Sequence, residues 1–306
     1  MTNIKSIKIA YLNFWNDPFN HFYFDHFITN NFNCNLIKVH FSQNPDILIA
    51  SLQGNINIID KINAKCKIFY YGENLNTQNP PYNNIDFLKT KFNIIVGFKY
   101  TNKKEKIFRF PLWLMYYPFY NFNQENNIIN YIENKYLVNI KQNKYMFGTL
   151  VSGHDRGGQR KIIYDLLSKY HKVYCPGSFC NNTNKIGNHQ NDKINYIKHS
   201  LYNICPENSI YEGYTTEKIF QAFEAGTIPL YWGHDLPEKD ILNKNKYCFC
   251  NIQDINTLKQ QIEDVVSYKM KYIEGKIFND NAKNIIETYY NDLIQEINKY
   301  LKILNI

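Results

Sequence analysis

Residues 205–233 read CPENSIYEGYTTEKIFQAFEAGTIPLYWG. The apolar run that ends at Cys205 predicts a strand, the polar residues after it a loop, residues 216–225 a helix and residues 227–231 another strand. Gly213 lies just before the helix, and Thr215 is a suitable N-cap. A strand, a helix and a second strand in this order favour a parallel α/β sheet.

The first turn of this helix carries two opposite charges. Glu217 suits the positive end of the helix dipole, whereas Lys218 beside it opposes the dipole. A cation there costs stability unless an anion shares the site, and a helix N-terminus next to a lysine is a suitable phosphate site. The alternative is that Lys218 simply reaches solvent, and its position alone favours neither interpretation.

The same alternation extends outward through the chain. Short apolar runs without polar alternation suit strands that are covered on both faces. They predict strands at 7–12, 36–41, 47–52, 67–71, 93–97, 146–151, 172–175, 202–205, 227–231 and 247–250, and helices at 22–32, 160–170, 216–225 and 258–270. The polar stretch 121–143 predicts a connection that can include a helix, and the apolar spacing of 282–304 predicts an amphipathic helix.

Composition sets the class of protein. A chain of 306 residues with 44% apolar and 20% charged residues predicts a soluble protein of two domains. The net charge of +8 suits a nucleic acid, a membrane surface or a nucleotide-bearing substrate, but the lysines are scattered, which disfavours a nucleic-acid groove. Seven cysteines without a C-x-x-C pair indicate a reducing compartment. With no run of 18 apolar residues and no signal-peptide pattern, we expect a cytoplasmic protein without a transmembrane segment.

Four segments resemble the signature of the family 10 glycosyltransferases, the α-1,3/1,4-fucosyltransferases. They are Pro206–Ser209, Tyr214–Ile219, Ala222 and Ile228–Gly233. Further similarity lies at 7–17, 70–74, 109–113 and 151–165, so the resemblance covers about residues 7 to 250 and is closest to the soluble bacterial-type members. It implies an α/β GT-B fold, with two Rossmann-like domains facing across a cleft and a C-terminal helix that crosses back to the N-terminal domain.

The resemblance also implies domains and an activity. Residues 1–143 would bind the acceptor, residues 144–280 would bind GDP-fucose, and residues 281–306 would form the returning helix. Family members transfer L-fucose from GDP-fucose with inversion. The acceptor usual in the family suggests the GlcNAc of an N-acetyllactosamine-like glycan here. The loop 75–81 departs from the family pattern, so the acceptor preference stays open.

The matching positions assign roles to individual residues. Glu73 is the general base, Arg160 and Lys218 bind the diphosphate, and Glu217 binds sugar hydroxyls, most simply those of the GDP ribose. The nucleotide or fucose contacts are given to Asn208 and Tyr214. Arg156 is a weaker phosphate candidate, Glu207 is either structural or functional, and Tyr231 and Trp232 are expected to pack beneath the site.

The same assignment makes predictions about charge and metals. Two cations at converging helix starts should repel each other in the unliganded protein, so that removing both should leave it equally or more stable. The chain has no Asp-x-Asp motif, so no metal cofactor is expected, although Mn²⁺ or Mg²⁺ could stimulate transfer. The alternatives are a GT-B transferase for another GDP-sugar or acceptor, a catalytically silent glycan-binding module, and a nucleic-acid-binding protein.

Overall fold

The computed structural model describes residues 5–14, 22–117, 127–187 and 189–302. Parts of three predictions lie outside these residues: 15–17 of the first similar segment, 121–126 of the connection and 303–304 of the tail. The chain forms two compact units, which are Met1–Phe122 with Asn284–Ile306, and Asn123–Lys283. The domain limits drawn from the sequence at 143 and 280 stay predictions.

Unit 1 is built on a six-stranded parallel sheet in the order β2-β1-β3-β4-β5-β6. Its strands are β1 (Ser6–Leu12), β2 (Asn35–Lys38), β3 (Ile47–Ala50), β4 (Cys66–Tyr70), β5 (Ile94–Gly97) and β6 (Ile107–Arg109). Its helices before the last are α1 (Phe22–Phe32), α2 (Ile85–Lys91) and α3 (Leu112–Met115). Every residue of β3 and β5 is buried, as expected for parallel strands covered on both faces.

Unit 2 is built on a five-stranded parallel sheet in the order β11-β10-β9-β7-β8. Its strands are β7 (Met146–Leu150), β8 (Val173–Tyr174), β9 (Ser200–Ile204), β10 (Ile228–Tyr231) and β11 (Cys248–Phe249). Its helices are α4 (Ile128–Asn139), α5 (Gln159–Leu167), α6 (Gln190–Ile197), α7 (Glu217–Glu224), α8 (Ile255–Ser267) and α9 (Met270–Ile273). The carboxyl ends of β7 and β9 lead into the loops before α5 and α7.

Helix α4, within the predicted connection, packs against α7. The Tyr131 hydroxyl donates to Glu224 Oε1 at 2.8 Å, and the Asn139 amide donates to the Glu224 carbonyl at 2.7 Å. These contacts explain why the helix belongs to unit 2 rather than lying free between two units.

The last helix, α10 (Ala282–Leu301), carries the predicted apolar stripe. Ile286, Tyr290, Leu293 and Ile297 are all buried. The Tyr290 ring lies 5.1 Å from Phe110 and 5.9 Å from Phe27, so this helix contributes to the core of unit 1. No helix in the described part of the chain is both long and apolar enough to cross a membrane.

Four of the strands and α-helices named above escaped the sequence patterns: the short helices α2 and α3, the strand β6 and the helix α6. Strand β6 is only three residues long and follows a lysine-rich turn, so it has no apolar run of its own. Helix α6 is polar, and only Ile194 and Ile197 are buried, which leaves too weak a stripe to predict. The predicted helix 258–270 is instead α8 followed by the separate turn of α9.

Candidate active site

The start of α7 is organised by Thr216. The N-cap is Thr216 and not the predicted Thr215, and its side chain makes no capping bond to the helix. Instead, the Thr216 backbone N–H donates to Glu207 Oε1 at 2.7 Å, and its hydroxyl donates to Glu207 Oε2 at 2.7 Å. The threonine therefore ties the helix start to the loop that follows β9.

Glu207 is fully buried and accepts from two further groups. The Tyr231 hydroxyl donates to Oε1 at 3.3 Å, and Lys218 Nζ lies 3.3 Å from Oε2. Burial raises the pKa of Glu207, while the charge of Lys218 and the Thr216 hydrogen bonds oppose that rise. The anion that shares the positive end of the α7 dipole is thus this carboxylate of the chain itself.

Lys218 is held within this network and does not extend into solvent. Its Nζ donates to Thr216 Oγ1 at 2.9 Å, and lies 4.0 Å from Glu217 Oε1. Only 17% of its side chain is exposed. Its charge is therefore compensated before any ligand binds.

Glu217 lies between two cations. Burial favours the neutral acid, but Lys218 and Lys193 outweigh it, so the pKa of Glu217 falls below its ordinary value. Lys193 belongs to α6 and donates to Gln221 Oε1 on α7 at 2.8 Å. No sequence pattern pointed to Lys193, because helix α6 was not predicted and lysines are abundant.

The start of α5 is capped by Asp155. Its Oδ1 accepts the Arg160 backbone N–H at 3.1 Å, and its Oδ2 accepts the Lys161 N–H at 2.9 Å. The N-cap position itself is Gly158, with a φ of 76°, a left-handed conformation that suits glycine. At α7, by comparison, the carboxylate of Glu207 accepts the backbone N–H of the N-cap residue Thr216.

Arg160 is buried but retains hydrogen-bonding capacity. Its Nη2 donates to Asn208 Oδ1 at 2.9 Å, and its Nη1 lies 4.0 Å from Asp155 Oδ1. Within the described residues Nη1 has no hydrogen-bond partner, although it is shielded from solvent. Burial lowers the pKa of Arg160, and Asp155 and Glu207 oppose that shift. A buried guanidinium with an unused donor is suited to an anionic ligand.

His154 shows that these cations lie close together. Its pKa falls below the ordinary value, with partial burial as the largest cause, followed by Arg160 and Arg156, and with Lys218 as a smaller one. Unit 2 therefore brings the predicted Arg160 and Lys218 to one region. Each faces a carboxylate, Asp155 for Arg160 at 4.0 Å and Glu207 for Lys218 at 3.3 Å, and the expected strain of the unliganded protein stays a prediction.

Three aromatic residues complete this part of unit 2. Tyr214, Tyr231 and Trp232 are all buried. The Tyr231 hydroxyl contacts Glu207, and Tyr214 lies close enough to Arg160 to interact with its charge. Asn208, predicted to touch the donor, uses its side-chain oxygen to orient Arg160.

Glu73 lies in unit 1, three residues after the end of β4. Its neighbours Gly72 and Asn74 are both buried, and Glu73 itself is partly exposed. A Cβ on Gly72 would lie 3.0 Å from Leu112 Cδ1, and Asn74 Oδ1 accepts the Asn76 N–H at 3.0 Å to begin the next turn. The backbone on both sides of Glu73 is therefore fixed. Across the described ranges, no group of three or more His, Cys, Asp or Glu side chains could hold a metal ion.

Comparison with known proteins places these features in a family. The model of the glycosyltransferase family 10 (fucosyltransferase) C-terminal region matches residues 140–299, and that of the α-(1,3)-fucosyltransferase FucT N-terminal domain matches residues 9–116. The α-(1,3)-fucosyltransferase FucT of Helicobacter pylori is 25% identical over 257 residues, which cover 74% of this chain and 49% of that protein. The chain thus spans about half the length of this relative.

Two crystal structures are similar to the whole fold. An α1,3-fucosyltransferase with GDP-fucose matches with a TM-score of 0.64 and 19% identity, over 96% of this chain and 92% of that one. Another α1,3-fucosyltransferase structure matches with a TM-score of 0.68 and 20% identity, over 96% and 91%. At this identity the likeness shows the fold, and it confirms the predicted α/β GT-B class with two Rossmann-like units.

Proposed function

The chain belongs to glycosyltransferase family 10, and we propose that it transfers L-fucose from GDP-fucose to a GlcNAc-containing glycan, with inversion at the anomeric carbon. The observation that carries this proposal is the unused Nη1 donor of the buried Arg160, in a region that also holds Lys218. An unpaired buried donor is costly, and a diphosphate oxygen would satisfy it.

The two cations have different roles in the proposed donor site. Arg160 supplies hydrogen bonds through its planar fork, oriented by Asn208. Lys218 supplies a fixed positive charge, since Glu207 and Thr216 hold its ammonium in place. Negative charge builds on the leaving GDP as the glycosidic bond breaks, and cations fixed in advance stabilise it without reorganisation.

The other donor contacts follow from the site. Glu217, kept ionised by Lys218 and Lys193, accepts hydrogen bonds from the ribose hydroxyls. Tyr214 lines the same loop and contacts the nucleotide or the fucose. The proposed reaction needs no cofactor, because protein cations take the place of a divalent metal on the diphosphate, and Mn²⁺ or Mg²⁺ would at most stimulate it.

Glu73 acts as the general base of the proposed reaction. The acceptor hydroxyl oxygen forms a bond to the anomeric carbon, the bond from that carbon to the β-phosphate oxygen breaks, and GDP leaves with the electron pair. The proton of the hydroxyl passes to the Glu73 carboxylate. A partly exposed carboxylate on a fixed backbone segment is suited to this task, because it can meet an incoming substrate without losing its position.

The test separates donor binding from transfer. We expect Glu73→Gln to bind GDP normally and to lose transfer of fucose by about 100-fold or more, the scale of a lost general base. Glu105→Gln is the control, because Glu105 is an exposed acid of unit 1 that pairs with Lys89. Normal transfer by Glu73→Gln would remove Glu73 from the mechanism. Release of GDP from another GDP-sugar, with none from GDP-fucose, would instead indicate a different donor.

A further inference from the structure

Unit 1 contains a cavity whose lining does not include Glu73. Its volume is about 230 Å³, and its walls include Tyr11, Asn13, Phe14, His40, Phe41 and Gln53. These residues lie at or just beyond the carboxyl ends of β1, β2 and β3. Ligands of open α/β sheets bind outside this edge, so the position is one where a binding site is expected.

Aromatic rings form the walls of the cavity. The His40 and Phe41 ring centroids are 4.0 Å apart, and Tyr11 and Phe14 meet edge to face at 5.8 Å. The turn that carries His40 and Phe41 is ordered, because Gln43 Oε1 accepts the His40 N–H at 2.9 Å and Ser42 Oγ lies 2.7 Å from His40 Nδ1. Rings that are fixed before binding lose little conformational entropy when a flat apolar ligand face packs on them.

The polar groups of the cavity suit a neutral ligand. Lys38, which also borders it, forms an ion pair with Asp25 at 2.6 Å, and Asp25 accepts from the Tyr11 hydroxyl at 2.7 Å. The charges of Lys38 and Asp25 therefore compensate each other and favour neither an anion nor a cation. The Gln53 amide can both donate and accept, which matches the hydroxyl groups of a sugar, whereas the Asn13 amide already donates to the Asn55 carbonyl and the Tyr82 hydroxyl.

The cavity and Glu73 lie at the same edge of one sheet. β3 separates β1 from β4, and Glu73 follows β4, so the two sites are roughly 10 Å apart at the usual strand spacing. We propose that this cavity binds a pyranose ring of an extended glycan acceptor, one that lies beyond the sugar that receives fucose. The inference rests on the proposed function, and it means that the enzyme selects oligosaccharides over short acceptors.

The experiment compares a long and a short acceptor. KM is measured for a tetrasaccharide that ends in N-acetyllactosamine and for the N-acetyllactosamine disaccharide, in the wild type, His40→Ala and Phe41→Ala. We expect each substitution to raise KM for the tetrasaccharide by about two- to tenfold, the scale of one aromatic contact, and to leave KM for the disaccharide and for GDP-fucose unchanged. Ile37→Ala is the control, because Ile37 is 46% exposed on the same strand β2 and does not line the cavity.

Equal effects on both acceptors, or no effect on either, would overturn the inference. If Phe41→Ala does not fold, Phe41→Leu removes the aromatic face with less loss of volume. If the wild type fucosylates no acceptor, the proposed function fails, and binding of the tetrasaccharide measured by NMR without donor then decides about the cavity. Binding that weakens in His40→Ala and Phe41→Ala but not in Ile37→Ala supports the site, and equal binding by all four proteins overturns it.

Discussion

Helices α5 and α7 begin in the same way, but the basic residue near the start of each helix differs in how closely a carboxylate pairs with it. Each has its basic residue at the second helical position, Arg160 in α5 and Lys218 in α7, and each holds a carboxylate from the preceding loop at its N-terminus. Both carboxylate oxygens of Asp155 accept hydrogen bonds from backbone N–H groups of α5, and Oδ1 remains 4.0 Å from Arg160 Nη1. Glu207 instead lies 3.3 Å from the Lys218 ammonium and pairs with it.

The difference shows that two helix N-termini of the same kind can hold one cation in a salt bridge and leave the other partly available. At α7 the buried carboxylate pairs with Lys218, so Lys218 is part of the structure before it meets a ligand. At α5 the carboxylate is satisfied by backbone N–H groups, so part of the Arg160 fork stays available. We therefore expect Lys218 to matter most for stability and Arg160 most for recognition of phosphate.

The largest effect should follow the loss of Lys218. Lys218→Met should lower the free energy of unfolding of the unliganded protein by about 3 kcal/mol, because it leaves the buried Glu207 without its countercharge. Arg160→Met is the matched variant and should cost clearly less, since Asp155 keeps its two backbone donors. Urea denaturation measures both values.

A double-mutant cycle isolates the pair. Glu207→Gln together with Lys218→Met should cost less than the sum of the two single changes, because no unpaired charge remains. Additive costs, or a larger cost for Arg160→Met than for Lys218→Met, would refute the contrast between the two helix starts.

The next effect concerns the second phosphate of GDP. GDP should raise the melting temperature more than GMP does, because a ligand that binds the folded state stabilises it and the second phosphate strengthens binding. Arg160→Lys keeps a charge but loses the planar fork, so it should weaken GDP binding by about 2 kcal/mol, the scale of a charged hydrogen bond, and affect GMP little. Thermal shift titrations with both nucleotides test this, and an undiminished difference between GDP and GMP would place the second phosphate away from Arg160.

A smaller effect should follow the loss of the α5 cap. Asp155→Ala should cost about 1 kcal/mol of unfolding free energy, since the Arg160 and Lys161 N–H groups lose their acceptor. Asp155→Asn keeps one acceptor oxygen and should cost less. Urea denaturation of both variants gives the values, and equal stability of Asp155→Ala and the wild type would mean that water replaces the carboxylate without loss.

The smallest effect is electrostatic and can be observed at His154. Nearby cations contribute to the lowered pKa of His154, with Arg160 acting more strongly than Lys218. NMR titration of the imidazole should therefore show that the pKa of His154 rises in both Lys218→Met and Arg160→Met. The rise should be larger in Arg160→Met. Bound GDP should also raise this pKa, because it adds negative charge. A larger rise in Lys218→Met would reverse the order of the two cations around the site.

The sequence by itself determined the elements that rest on local patterns. The apolar runs at 47–52 and 93–97 predicted β3 and β5, because strands covered on both faces need apolar side chains at successive positions. The helix predicted at 216–225 is α7, Glu217–Glu224, and the charges in its first turn pointed to Lys218 as a phosphate candidate. These inferences depended on neighbouring residues in the chain, where spacing carries the information.

Only the tertiary structure decided what those residues contact. Glu207 could be structural or functional from its position, and its role became clear only when the fold brought Thr216, Lys218 and Tyr231 to one buried carboxylate. Lys193 reached Glu217 through α6, a helix whose apolar stripe is too weak to predict. The physical reason is that burial and hydrogen-bond partners are set by chain segments that meet in space, and the free energy of a charge depends on those partners more than on its place in the sequence.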